Sequence, residues 1–217
     1  MISCIMPARG RRQLAQQALE SFNSQIYADK ELIIVDDADQ PSFPYGVAQD
    51  NVKYYCTDII MPIPEKRNFC CQLTNGEWIA HFDSDDWSAP SRLSTQMALI
   101  SGNVENVVGF HTMMFWDSVN QKAYRYFGAY FGNHALGTSL LYMRRWWKEN
   151  EWPNTRTGLA SDNAFVKTAR KANQLLSFDA GLNMVARIHP GNSSNKTQHK
   201  PPYREVDPAE LPADFPR

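Results

Sequence analysis

The chain has 217 residues, 43% hydrophobic and 12% aromatic, which is enough for a packed core and excludes disorder over most of its length. Its 22 Lys and Arg nearly balance 23 Asp and Glu, for a net charge of −1, so overall charge gives no support to a protein that lives on phosphate-backbone contacts. No apolar run approaches the ~20 residues of a membrane helix, and the apolar opening over 2–6, cut off by Pro7 and Arg9, is too short for a signal-peptide core. The expected location is the cytoplasm, where the acceptor sequences Asn192-Ser193-Ser194 and Asn195-Lys196-Thr197 carry no meaning. Cys4, Cys56, Cys70 and Cys71 form no C-x-x-C pair and read as free thiols acting as small buried hydrophobes.

Residues 2–6 predict a buried strand. Residues 12–25 predict a helix, with Leu14, Ala18, Leu19 and Phe22 at helical spacing. A second strand over 31–35 ends in Asp36-Asp37-Ala38-Asp39, and 40–49 reads as loop. A third strand covers 52–56. A helix over 64–73 stops at the Asn75-Gly76 turn signal. A fourth strand over 78–82 runs straight into Asp83-Ser84-Asp85-Asp86. This β-α-β-β-α-β order predicts a mostly parallel, doubly wound α/β sheet, with ligands at the carboxyl ends of its strands. Three clusters sit there: Pro7-Ala8-Arg9, Asp36-Asp37 and Asp83 to Asp86.

The second half reads as a smaller region of mixed strands and helices. A helix covers 90–100, and 107–115 pairs with 123–127 across a turn at 117–121. A strand covers 138–142, a short helix 144–149 and a longer helix 162–172, with Phe165 and Val166 inward. A last strand covers 184–188. From 191 onward the chain turns polar and Pro-rich, and 207–217 reads as a loose tail. The domain reading is thus one unit over 1–190, in two halves, 1–100 and 101–190, followed by a polar Pro-rich tail over 191–217.

Three carboxylates in four residues repel one another unless a cation or hydrogen-bond donors offset them. At a strand end, hard oxygen ligands of this kind suit Mg²⁺ or Mn²⁺ bridging a diphosphate. The same run also fits a helix start, with Asp85 or Asp86 as the cap. Asp36-Asp37 suits hydrogen bonds from a base or ribose, and equally a turn. Trp146, Trp147 and Trp152 offer either a sugar-stacking platform or core.

In order and content these features resemble family 2 of the glycosyltransferases, which have the GT-A fold. The matching stretches are Ile5-Met6-Pro7-Ala8-Arg9, Val35-Asp36-Asp37, Lys66-Arg67-Asn68, Asn75-Gly76-Glu77-Trp78-Ile79 and the D-x-D-D run Asp83-Ser84-Asp85-Asp86. The resemblance implies transfer of a sugar from a nucleotide-diphosphate donor to a hydroxyl, on a glycan, a lipid-linked or another acceptor. Pro7 and Asp37 would border the nucleobase, expected to be uracil, with Ala8, Arg9, Asp36 and Ser84 in the same donor site. Arg67 would contact the base or phosphates. Asp83 would meet the ribose and the water shell of the metal, Mn²⁺ or Mg²⁺, and Asp85 would bind that metal. Asp86 would orient the loop.

Leu159-Ala160-Ser161-Asp162 resembles the family's Glu-Asp element, with Ser161 in place of Glu. Asp162 would be the catalytic base of a single, inverting displacement, and it also suits a plain helix cap. Arg187-Ile188-His189-Pro190-Gly191-Asn192-Ser193-Ser194 resembles the family's late Arg-x-His stretch, in which His189 would complete the metal shell or touch the diphosphate. The family's Tyr-Asn and Gly-Ser are replaced here by Arg9-Gly10 and Ala38-Asp39. The alternatives are a DNA glycosyltransferase acting on a hydroxymethylated base, for which a basic stretch over 187–204 is the only signal, and a nucleotide-sugar-binding protein without activity.

Overall fold

The computed structural model describes residues 1–44, 46–47, 49–128, 134–154, 161–192 and 202–217. Its first sheet has seven strands: β1 (Ile2–Ala8), β2 (Lys30–Asp36), β3 (Val52–Cys56), β4 (Trp78–His81), β6 (Val107–Phe110), β9 (Leu141–Met143) and β10 (Leu175–Phe178). They lie in the order β10-β6-β9-β4-β1-β2-β3. Only β9 runs antiparallel, between β4 and β6. The order reverses between β1 and β4, the switch point at which sheets of this kind take their ligands.

The helices are α1 (Arg12–Asn23), α2 (Ile63–Gln72), α3 (Arg92–Ile100), α4 (Arg144–Glu149) and α5 (Ser161–Lys171). Side chains alternate across a strand, so each strand feeds both faces of the sheet. Cys4, Met6, Leu32 and Ile34 pack under Ala15, Leu19 and Phe22 of α1 and Leu93 of α3. Ile5, Ile33, Val35 and Ile79 pack under Cys70 and Cys71 of α2, Trp146 and Trp147 of α4 and Phe165 of α5. Burial on both faces explains why these strands are continuous apolar runs.

A second, five-stranded sheet has the order β12-β8-β7-β11-β5, from β5 (Trp87–Ser88), β7 (Met113–Asp117), β8 (Lys122–Tyr126), β11 (Met184–Ile188) and β12 (Tyr203–Val206). Five expectations need correction. The strand expected over 107–115 is two strands in two sheets, broken at His111-Thr112, and only the second half pairs with β8. The strand expected over 138–142 opens instead as a 3-10 turn, Gly137–Ser139. Trp146, Trp147 and Trp152 are all buried, so they are core and not a sugar platform. Cys56 is exposed, whereas Cys4, Cys70 and Cys71 are buried; all four are free.

The fifth correction concerns the tail. β12 pairs antiparallel with β8, and Asp207 caps a 3-10 turn with Glu210 in a capping box. Leu211 and Phe215 then bury against Trp87, Met114 and Val185. The polar composition hid two apolar anchors eight or fewer residues from the end. Phe215→Ala is expected to destabilise the fold by about 3 kcal/mol, a fall in Tm of roughly 6–12 °C in a melting experiment. Among the described residues, no helix is long and apolar enough to cross a membrane.

Candidate active site

β1, β2 and β4 are neighbours in register, with Ala8 opposite Asp36 and Ile5 opposite His81, so their carboxyl ends open on one crevice. Pro7 and Ala8 are buried at the end of β1, and Arg9 is exposed beyond it. Gly10 and Arg11 follow in consecutive left-handed conformations, φ 66° and 60°. Glycine adopts that region freely; Arg11 holds it at a cost of about 1–3 kcal/mol.

Helix α2 supplies three successive side chains to three different places. Its start is fixed by Pro62 before it and Pro64 in its first turn. Lys66 reaches up to Asp37, in a close ion pair, and to the Ala8 carbonyl at 2.9 Å. Arg67 pairs closely with Asp162 and lies 3.6 Å from Asp83. Asn68 accepts from the Trp147 indole N–H at 3.0 Å and the Trp152 amide at 2.9 Å, and donates to the Trp152 carbonyl at 3.0 Å. Trp152 in turn lies against the Arg67 guanidinium, 4.9 Å from its ring centre.

The acidic pair on β2 divides its work. Asp36 accepts from Ala38 N, Ser42 N and the Tyr54 hydroxyl, so it shapes the loop after β2. Asp37 accepts from Lys66 and from Met61 N at 2.9 Å, tying β2 to the start of α2. Burial lowers the Lys66 pKa, and the Asp37 carboxylate works against that fall.

The acidic loop after β4 is also divided. Asp86 accepts from the Thr138 hydroxyl at 2.7 Å and Arg187 N at 2.9 Å, so it anchors the loop to the 3-10 turn and to β11. Ser84 is buried, with its hydroxyl 3.5 Å from an Arg11 nitrogen. Asp85 Oδ2 accepts from Arg11 Nη1 at 2.7 Å and lies 3.1 Å from His189 Nε2. Asp83 Oδ1 is buried without a hydrogen bond. Burial raises the Asp83 pKa, Arg67 opposes that rise, and Asp85 and Asp162 add to it. Arg92 lies behind the loop, its guanidinium on Ser88, Gln96 and the Thr138 carbonyl, with burial lowering its pKa to about 10. For Arg67, burial also disfavours the charge, but Asp162 and Asp83 outweigh it and raise the pKa above its ordinary value.

Asp162 lies in the first turn of α5, with 39% of its side chain exposed. Residues 159 and 160 of its motif, and Lys196, His199 and Lys200 of the basic stretch, lie outside the described residues. Arg187 is buried, with one nitrogen on the Pro216 carbonyl and its guanidinium over Phe215, so it braces the tail rather than facing a polyanion. Among the described residues, no three His, Cys, Asp or Glu side chains gather as a metal cage.

Sequence reasoning missed what holds Asp162 in place. A Cβ on Gly137 would run into the Asp162 carboxylate, so glycine is required at that approach. The Gly137 carbonyl accepts from His81 Nδ1 at 2.7 Å, and His81 Nε2 then accepts from the Tyr142 hydroxyl at 3.2 Å. That hydroxyl accepts from the Trp152 indole at 3.1 Å. Burial holds the His81 pKa well below its ordinary value, which keeps this chain neutral and fixed. Gly137→Ala is expected to displace the Asp162 carboxylate from Arg67, seen as a shift of the Arg67 guanidinium resonances in an NMR spectrum.

The family model described as glycosyl transferase family 2 matches residues 3–158. Over 103 residues the chain is 34% identical to the Escherichia coli (strain K12) protein named "Putative colanic acid biosynthesis glycosyl transferase WcaA", covering 45% of this chain and 37% of that one. Over 123 residues it is 31% identical to the Bacillus subtilis (strain 168) protein named "Putative glycosyltransferase EpsE", covering 52% and 44%. The chain thus spans less than half the length of these two relatives. Among solved structures, S. aureus TarS 1-349 in complex with UDP-GlcNAc superimposes with a TM-score of 0.69 at 17% identity, over 90% of this chain and 61% of that one. The mannosyltransferase PcManGT from Pyrobaculum calidifontis, in complex with GDP-Man and Mn²⁺, superimposes with a TM-score of 0.68 at 13% identity, over 88% and 58%.

Proposed function

The chain belongs to glycosyl transferase family 2, and from that premise we propose that it moves a sugar from a UDP-sugar to an acceptor hydroxyl, assisted by a divalent cation and with inversion at the anomeric carbon. The observation that carries this reading is the buried Arg67 guanidinium, which meets Asp83 on the donor side and Asp162 on the acceptor side. One fixed cation thereby sets the position of the base relative to the donor.

In this reading the nucleotide lies over the ends of β1 and β2, against Pro7, Ala8, Arg9 and the Lys66–Asp37 pair. Asp83, with an unsatisfied oxygen, accepts from a ribose hydroxyl or a metal-bound water. Asp85, with His189 beside it, would hold Mn²⁺ or Mg²⁺, and an ion bound there would supply positive charge against the departing diphosphate. Oxygen and imidazole donors fit either ion. Asp162 takes the proton of the acceptor hydroxyl as its oxygen attacks the anomeric carbon. The bond to the diphosphate breaks with its electron pair on the phosphate oxygen, and a single displacement inverts the centre. The acceptor class is a glycan, a lipid-linked or another exposed hydroxyl.

NMR of a UDP-sugar panel with Mn²⁺ and water as the default acceptor tests this. Slow release of the sugar with inverted anomeric configuration supports the reading. Release with retained configuration would remove Asp162 as the base of a single displacement. No turnover, and no binding of any nucleoside diphosphate, would remove the donor site.

A further inference from the structure

The position proposed for the metal already has a cation of the chain's own. Arg11 Nη1 lies 2.7 Å from Asp85 Oδ2, 3.5 Å from His189 Nε2 and 3.4 Å from the Gly191 carbonyl. Its Nη2 lies 3.5 Å from the Ser84 hydroxyl. The guanidinium thus sits among the groups that would surround an ion bound to Asp85. The backbone is committed to this placement: Arg11 is held left-handed, next to a left-handed Gly10, at the turn into α1. His189 is arranged to match. Its Nδ1 accepts from Gly191 N–H at 3.1 Å, and its Nε2 lies 3.1 Å from Asp85 Oδ2 and 3.2 Å from Asn192 Nδ2. Asp85 Oδ2 therefore takes the Arg11 guanidinium as a charged donor, with the His189 ring beside the pair.

We propose that Arg11 is a resident counter-cation of the Asp85–His189 site, which a divalent ion must displace and which a bound diphosphate then receives. The inference rests on the metal reading above and adds a regulation to it. With no nucleotide, the ion competes against a charge-assisted hydrogen bond that the chain supplies at no loss of translational freedom. With a nucleotide diphosphate present, the released guanidinium gains a new anionic partner, so displacement becomes favourable. Metal and donor then load together, as two ligands with a positive coupling. Arg11 has 30% of its side chain exposed, which leaves it room to move.

The test is Mn²⁺ binding followed by electron paramagnetic resonance, with and without UDP, for the parent, Arg11→Gln and Arg11→Lys. Without UDP, Arg11→Gln is expected to bind Mn²⁺ roughly tenfold tighter than the parent, and Arg11→Lys, which keeps the charge, within about threefold of it. UDP is expected to raise Mn²⁺ affinity several-fold more in the parent than in Arg11→Gln. Equal or weaker Mn²⁺ binding by Arg11→Gln overturns the proposal and leaves the donor reading intact. If no protein binds Mn²⁺ but all bind UDP, the displacement proposal falls together with metal assistance; if none binds UDP either, the donor site falls too. Thermal melting checks that the variants fold. In the parent itself, the Arg11 Nε–H resonance is expected to shift on adding Mg²⁺ and UDP, and a static resonance also overturns the proposal.

Discussion

Asp162→Asn is expected to reduce transfer by roughly 10²–10⁴-fold while leaving UDP affinity within about twofold. Asparagine keeps the volume and an oxygen that can accept from Arg67, so the geometry around the guanidinium survives. It also suits the start of a helix, so α5 keeps its first turn. The property lost is the ability to take a proton from the acceptor. A carboxylate with 39% of its side chain exposed can meet that acceptor. A melting temperature close to that of the parent separates loss of the base from loss of the fold. Unaltered transfer would remove Asp162 from the chemistry and leave it as a partner of Arg67.

Arg67→Met is the second large effect, and it acts on both sides of the reaction at once. Methionine fills much of the volume against Trp152 but cannot bridge Asp83 and Asp162. Transfer is expected to fall about 10²-fold or more, because the base and the donor-side carboxylate lose their shared anchor. Stability is expected to fall by about 2–4 kcal/mol, the lower part of that range reflecting the partial exposure of Asp162. The pH dependence has a definite sign. Burial already raises the Asp83 pKa, and Arg67 opposes that rise. Without Arg67 the pKa climbs further. A carboxyl group with a raised folded pKa stabilises the fold at a pH below its unfolded value, near ~4, and that contribution is lost as pH rises through the folded value. The gap in Tm between parent and variant should therefore narrow on going from pH 7 toward pH 5. A gap independent of pH would mean that Asp83 does not depend on Arg67.

The central strands were legible because parallel strands buried on both faces are short apolar runs ended by polar punctuation. β2 ends at Asp36, β1 runs one residue past Pro7, and β4 ends two residues before Asp83, so the polar punctuation marked these strand ends closely. What was illegible depends on contacts between distant residues. Nothing near Val107 in sequence says that the chain leaves one sheet at His111 and joins another at Met113. β10 was missed because its run, Leu175–Phe178, follows a helix closely and has only half-buried neighbours. The tail looked loose because its anchors, Leu211 and Phe215, stand alone among polar residues.

The candidate site divides the same way. Asp83, Asp85 and Asp162 could be singled out as carboxylates at strand and helix ends. Their partners could not. Lys66 stood in a recognised stretch, yet its role follows only from β2 lying beside α2. Arg11 drew no reading of its own, and only the folded chain brings it to Asp85, 74 residues away. Gly137 carried no signal at all until Asp162 was found against it.

The most direct test of the donor site is a calorimetric titration with UDP, with and without Mn²⁺, for the parent and for Asp85→Ala. The expected result is binding that Mn²⁺ strengthens in the parent and no longer strengthens in the variant. Failure of UDP and the other nucleoside diphosphates to bind the parent with either Mn²⁺ or Mg²⁺ would contradict the account.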